Sequence, residues 1–163
     1  MKKRILVVDD EKDNSEVFRI ALEDTELFEV DSFTDPLSAL SNFKSDTYDL
    51  VILDIRMPKM NGYELYEKMK NIDDKIKVCF LTAFGEGYYE ELKRRFFQGG
   101  QANSLAANVH FLRKPITIEQ LVKEVNELYK ILINNGLYTL QKILLTYISY
   151  AALIHIHSFL LRY

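Results

Sequence analysis

Short apolar runs alternate along the chain with longer stretches in which apolar residues recur every three or four positions. The short runs have the length of buried β-strands, and the longer stretches have the period of amphipathic helices. Five runs are predicted as strands, at residues 4–9, 28–33, 49–54, 76–82 and 109–112. Strands that alternate with helices predict a parallel sheet covered on both faces, which is an α/β fold.

Residues that commonly begin helices precede two of the stretches with helical period. Asp13 or Asn14 is a candidate N-cap for the first helix, and Asp35-Pro36 has the order of an N-cap followed by the first helical residue. The other helices are predicted at residues 61–70, 88–97 and 118–132. The connection at residues 99–108 is longer than such folds need, and it indicates either a tolerated surface insertion or a partner-specific element.

The composition changes near residue 130. All 24 acidic residues precede Tyr129, and residues 131–163 contain only two basic residues, Lys142 and Arg162. We therefore expect a domain at residues 1–133 and a hydrophobic helical extension at residues 134–163. Residues 143–161 lack charged side chains and, as a helix, would nearly match a bilayer core of about 30 Å. The extension could pack on its own domain, pair with a second copy through residues 137–161, enter a membrane, or lie outside the natural folded unit.

Net charge and cysteine content narrow the class of protein. The formal charge is −3, so the sequence offers no basic surface for nucleic acid. The single cysteine, Cys79, lies in an apolar run, which indicates a buried thiol in a reducing compartment. The apolar run after the N-terminal basic residues is shorter than a secretory signal requires. We therefore expect a cytoplasmic protein.

Residues with charged or reactive side chains stand at the ends of the predicted strands. Asp9 and Asp10 end the first strand, and Asp54 ends the third. Thr82 ends the fourth strand, and Lys114 follows the fifth. Taken singly, each of these residues is common as a helix cap, a strand residue or a solvated lysine. Together they are expected to lie near one another, because the carboxyl ends of parallel strands meet at one edge of the sheet. Carboxylates that come close together repel one another, so we expect a positive charge among them. Oxygen ligands are typical of Mg²⁺ sites, in particular where phosphate chemistry takes place.

Four short motifs occur at these strand ends. They are "VVDD" at residues 7–10, "LDIRMPKMNG" at 53–62, "LTA" at 81–83 and "KP" at 114–115. With them the chain resembles the receiver domain of two-component response regulators, of the stand-alone type, over about residues 3–133. The resemblance implies a flavodoxin-like, doubly wound, five-stranded parallel sheet of order 2-1-3-4-5 with five helices, followed here by the C-terminal hydrophobic helix.

The resemblance also implies roles for the residues at the strand ends. Asp54 looks like the phosphoacceptor, and Asp9 and Asp10 look like the acid pair that binds Mg²⁺ together with Asp54. The backbone carbonyl of Arg56 is the further metal ligand that the family pattern implies. Lys114 looks like the lysine that contacts the phosphoryl group.

Two further residues match the switch positions of this family. Thr82 looks like the switch hydroxyl, and Phe111 falls at the rotating aromatic position. The family often has tyrosine there, so Phe111 would lack a hydroxyl to anchor an outward conformation.

The resemblance implies a signalling switch and not an enzyme, with only self-phosphorylation and self-dephosphorylation expected. The phosphoryl donor would be a sensor histidine kinase or a phosphotransfer protein, and the output would be altered binding to a downstream protein, with no nucleic acid as partner. One rival is a magnesium-dependent phosphohydrolase of the haloacid-dehalogenase type, which needs Asp-x-Asp where this chain has adjacent Asp9-Asp10. The other rival is a membrane-tethered adaptor with an inactive site.

Overall fold

The computed structural model describes residues 2–83 and 108–130 of the chain. The chain forms two compact units, Met1–Val122 and Lys123–Tyr163, and the sheet belongs to the first. The described elements are β1 (Lys3–Val8), α1 (Lys12–Glu23), β2 (Phe28–Phe33), α2 (Pro36–Asn42), β3 (Leu50–Asp54), α3 (Gly62–Ile72), β4 (Val78–Thr82), β5 (Val109–Arg113) and α4 (118–130).

The five strands form one parallel sheet of order β2-β1-β3-β4-β5, as predicted. The chain therefore runs outward from β1 to β2, and then back across β1 to β3, β4 and β5. This reversal separates the loops that leave β1 and β3, which is where open parallel sheets bind their ligands. The register brings the strand ends level, because Val8 lies beside Leu53, and Asp54 beside Leu81.

The central strands are buried on both faces. Every residue of β3 and β4 is buried, as are the last four residues of β1. On one face, α2 and α3 pack on apolar side chains that include Leu6, Leu53 and Phe80. Cys79 is buried and forms no disulfide, so this thiol has the environment predicted from its apolar run.

The first helix begins earlier than its sequence predicts. Its N-cap is Glu11, which makes no side-chain capping bond, and Asp13 lies in the first turn. The prediction of Asp13 or Asn14 as the cap was therefore wrong. The physical reason is that Asp9 Oδ1 accepts the Glu11 N–H at 3.0 Å, so the chain turns directly after β1. The cap of α2 was predicted correctly, since Asp35 accepts the Ser38 N–H.

Several predictions fall on residues outside the described ranges. They are the helix at 88–97, most of the long connection at 99–108, the domain boundary at residue 133 and the hydrophobic extension at 134–163. These stay predictions. Among the described residues, no helix is both long and apolar enough to cross a membrane.

Gly62 allows α3 to begin against the end of β3. Its N–H donates to the Ile55 carbonyl at 3.0 Å, which closes the loop between the two elements. A Cβ atom at this position would lie 2.3 Å from the Asp54 carbonyl oxygen, closer than any real contact. The opposing atom belongs to the backbone, so it cannot rotate away, and only glycine fits.

Substitution of Gly62 by alanine is expected to destabilise the fold by about 1–3 kcal/mol, the usual cost of overpacking. The sign of the change in stability is informative, because replacing glycine by alanine at an uncrowded helical position stabilises a protein by restricting the unfolded chain. Urea unfolding measures the change, with the exposed helical substitution Ser41→Ala as the control. A Gly62→Ala protein as stable as the parent would contradict the close approach.

Candidate functional site

Three carboxylates crowd the carboxyl edge of the sheet. Asp9 follows β1 directly, and Asp54 is the last residue of β3. One oxygen of each of Asp9, Asp10 and Asp54 lies within 4.8 Å of the others. Asp9 is fully buried and Asp54 is almost fully buried. The predicted meeting of these three acids is therefore present in the structure.

Lys114 supplies the positive charge next to these acids. Its Nζ lies 2.8 Å from Asp9 Oδ2 and 3.2 Å from Asp54 Oδ2. The backbone holds the lysine in place, because its N–H donates to the Thr82 carbonyl at 2.7 Å and so continues the β4–β5 ladder by one residue. Residues that are 105 positions apart in the chain thus form an ion pair.

Burial and neighbouring charges shift the pKa values of this pair. Burial raises the pKa of Asp54, and the charge of Asp9 adds to the rise, although Lys114 and the Arg56 N–H partly offset it. Burial alone would lower the pKa of Lys114, but hydrogen bonding and attraction to Asp9 and Asp54 outweigh it and raise this pKa. Lys114 therefore stays charged at neutral pH. In the described part of the chain, the Lys114 ammonium contacts two of the three carboxylates, so the cluster keeps an excess of negative charge.

The donor set suits a hard divalent cation. All three candidate side-chain ligands are carboxylates, and oxygen-only sites are typical of Mg²⁺. The second oxygen of Asp9 is held by the Glu11 N–H, which fixes the orientation of that carboxylate. Arg56 lies two residues after Asp54, and its N–H bonds to the Asp54 carboxylate. The role of the Arg56 carbonyl as a ligand stays a prediction.

The two predicted switch residues lie on β4 and β5. Thr82 ends β4 with 1% exposure, beside the strand end that carries Asp54. Phe111 is half-buried and packs on Phe80, with ring centroids 5.4 Å apart and planes inclined by 30°. The ring centroids of Phe80 and Tyr63 are 4.7 Å apart. Phe111 therefore stands against an aromatic cluster, an arrangement that the sequence motif did not indicate.

One contact near the site was not predicted from the sequence. Lys59 Nζ lies 2.8 Å from Asp35 Oδ1, which joins the loop after β3 to the loop after β2. The two residues are 24 positions apart, and no spacing rule connects them. Only the order of the strands in the sheet indicates that these loops are near each other.

Comparison with protein families gives a match to the model described as the response regulator receiver domain, over residues 5–126. Sporulation initiation phosphotransferase F of Bacillus subtilis is 33% identical over 125 residues, which are 74% of this chain and 89% of that protein. Regulatory protein VanRB of Enterococcus faecalis is 32% identical over 130 residues, which are 80% of this chain and 54% of that protein. The chain thus spans most of the first relative and about half of the second.

Solved structures show the same fold. A CheY-like response regulator receiver domain protein from Methanospirillum hungatei superposes with a TM-score of 0.61 at 25% identity, over 78% of this chain and 93% of that one. The non-phosphorylated HemR receiver domain from Leptospira biflexa gives a TM-score of 0.63 at 25% identity, over 78% of this chain and 94% of that one.

Substitution of Asp54 by asparagine is expected to stabilise the magnesium-free protein at pH 7. The pKa of Asp54 is raised in the folded state, so its ionised carboxylate opposes folding at neutral pH, and this cost vanishes as the pH falls below the ordinary Asp value of 3.8. In a chain of this size, each 1 kcal/mol of added stability raises the midpoint temperature by about 2–4 °C. Thermal unfolding in EDTA between pH 3 and pH 7 measures it, with the exposed Asp74→Asn as control. An equal or lower midpoint at pH 7 would contradict the prediction.

Proposed function

This chain belongs to the response regulator receiver domain family, and on that basis we propose that it is a phosphoacceptor switch of a two-component system or phosphorelay. Asp54 receives a phosphoryl group from a phosphohistidine of a sensor histidine kinase or a phosphotransfer protein. The observation that carries the proposal is the meeting of Asp54 with Asp9, Asp10 and Lys114 at one edge of the sheet.

The chemistry is nucleophilic attack by a carboxylate. An Asp54 oxygen bonds to phosphorus while the phosphorus–nitrogen bond of the donor breaks, and an acyl phosphate forms. The Asp54 side chain is 11% exposed, so a donor can approach it from solvent. The transition state spreads negative charge over the phosphoryl oxygens, and catalysis consists mostly of positioning and charge neutralisation. The Lys114 ammonium, already placed beside Asp54, provides such a charge.

Asp9, Asp10, Asp54 and the Arg56 carbonyl would hold Mg²⁺. When bound, this ion neutralises phosphoryl charge that Lys114 alone does not balance. The carboxylates are suited to it because their oxygens already lie within 4.8 Å of one another. The buried Asp9 contributes by holding Lys114 and keeping that side of the site in a fixed geometry.

Phosphorylation adds close to two negative charges at neutral pH, and these charges drive the switch. The Thr82 hydroxyl then donates a hydrogen bond to a phosphoryl oxygen and draws the end of β4 inward. Phe111 then turns into the space that this movement vacates. A local change of charge thereby biases a two-state surface, on which a downstream protein binds.

Protein partners fit the charge of the chain better than nucleic acid does. The formal charge is −3, and the described surface carries acidic and basic side chains in ion pairs. The output is therefore altered protein–protein binding in the cytoplasm. The chain catalyses no turnover beyond its own phosphorylation and dephosphorylation.

Asp54→Asn is expected to abolish labelling by acetyl phosphate in the presence of Mg²⁺, because the amide cannot form the acyl phosphate. Phosphate-affinity electrophoresis measures the labelled fraction, and Asp74→Asn, an exposed carboxylate outside the site, is the matched control. Labelling that persists in Asp54→Asn would refute the assignment. Sustained release of phosphate from phosphate esters, in place of one phosphoryl group per chain, would favour a phosphohydrolase.

Thr82→Ala is expected to leave labelling within about threefold of the parent protein but to remove its effect on partner binding. The hydroxyl acts after transfer in this proposal, so its loss separates modification from response. Thr82→Ser keeps the hydroxyl and is expected to retain the response. Co-purification of partners with and without acetyl phosphate measures the coupling, and a phosphorylation-dependent partner of Thr82→Ala would contradict this role.

A further inference from the structure

The loop after β3 is held at its ends and by two buried side chains. Its closing bond runs from the Gly62 N–H to the Ile55 carbonyl. Met57 and Met60 are both 8% exposed and belong to the core cluster. Lys59 stands between the two methionines and is directed towards solvent, with 60% of its side chain exposed. Lys59 is therefore an exposed residue of the loop that can contact a neighbouring loop.

The backbone at Lys59 adopts an unfavourable conformation. Its φ angle is +68°, a left-handed region in which glycine or asparagine is favoured over residues with long side chains. The conformation directs the ammonium to Asp35, with Lys59 Nζ 2.8 Å from Asp35 Oδ1. A glycine would relieve the backbone but would lose this contact.

Asp35 is a rigid partner for this lysine. Its other oxygen, Oδ2, accepts the Ser38 N–H at 3.0 Å and the Ser38 hydroxyl at 2.9 Å. The carboxylate is therefore fixed by its capping of α2, independently of Lys59. The hydrogen bonds from Lys59 and Ser38 hold the pKa of Asp35 below its ordinary value, so the pair is ionised at neutral pH.

The ion pair connects the two sides of the acidic pocket. Two residues before Asp35, the Phe33 carbonyl accepts the Asp9 N–H at 3.2 Å. Three residues before Lys59 is Arg56, which carries the proposed carbonyl ligand. The link between Asp35 and Lys59 thus joins the loop after β2, the strand whose last residue is bonded to Asp9, to the loop that follows Asp54.

We infer that Asp35 and Lys59 are positioning residues for the cation pocket: their ion pair fixes the loop 55–62 and with it the Arg56 carbonyl. This inference rests on the proposed function for its magnesium part. The pair is largely exposed, and such pairs contribute only about 0.2–1 kcal/mol. Its effect therefore lies in the placement of the loop and not in the global stability of the fold.

The test uses variants that distinguish the effect of the Asp35–Lys59 ion pair from the effect of Asp35 as the cap of α2. Lys59→Gln removes the charge, and Asp35→Ser removes the carboxylate but keeps a residue that caps helices well. Lys59→Arg keeps the charge, and Lys68→Gln, on the exposed surface of α3, is the matched loss of a lysine. The double variant Lys59→Gln, Asp35→Ser shows whether the two side chains act as one unit.

Two measurements are made on the full chain. The first is hydrogen exchange of the Gly62 amide, whose bond to the Ile55 carbonyl closes the loop, in magnesium-free buffer. The second is the half-saturating Mg²⁺ concentration from calorimetry. Each single variant is expected to raise the exchange rate and the half-saturating concentration by about two- to fivefold, the fold-change that corresponds to an exposed ion pair. The double variant is expected to match the single ones, and Lys59→Arg and Lys68→Gln to match the parent.

Unchanged exchange in the single variants, or additive effects in the double variant, would overturn the inference. Faster exchange with unchanged Mg²⁺ affinity would overturn the link to the pocket. A parent protein that does not bind Mg²⁺ would defeat the proposed function instead, and the exchange measurement would still decide whether the pair fixes the loop.

Discussion

Carboxylates that meet at one sheet edge beside the Lys114 ammonium are the constraint on which this molecule depends. The parallel sheet brings Asp9 and Asp54 together from adjacent strands, Asp10 lies close to them, and Lys114 contacts Asp9 and Asp54. A fold optimised for stability alone would not bury Asp9 and Asp54 side by side, because unbalanced buried charge opposes folding. The cluster therefore indicates a functional site, and its excess negative charge favours the binding of a cation.

Backbone hydrogen bonds of the sheet fix the positions of the residues in this cluster. Asp9 donates its N–H to Phe33, and Lys114 donates its N–H to Thr82, so each end of the site is tied to a neighbouring strand. The clustered acids and Lys114 stand at or next to strand ends, and loops connect these strands to the helices. This division of labour is common in α/β proteins, where a rigid scaffold positions loops that differ between relatives.

Much of the fold and of the site follows from local sequence. All five strands and the residues at their ends were predicted, because apolar runs and terminal charges are local signals, whereas the strand order was predicted from the family resemblance. The predicted start of α1 was wrong because the Asp9 carboxylate, two residues before the N-cap, accepts the Glu11 N–H, and helix-capping preferences alone do not indicate this bond. The Asp35–Lys59 pair and the packing of Phe111 on Phe80 were not predicted, since both join residues that no sequence period relates.

The close approach at Gly62 has a consequence for any effort to diversify this chain. The atom that opposes residue 62 is the carbonyl oxygen of Asp54 itself, so no change in a neighbouring side chain can make room for a larger residue. A mutant library would therefore have to keep this glycine constant. The solvent side of the same helix, at Glu67 and Lys68, is open to almost any amino acid, and new binding specificities are best sought there.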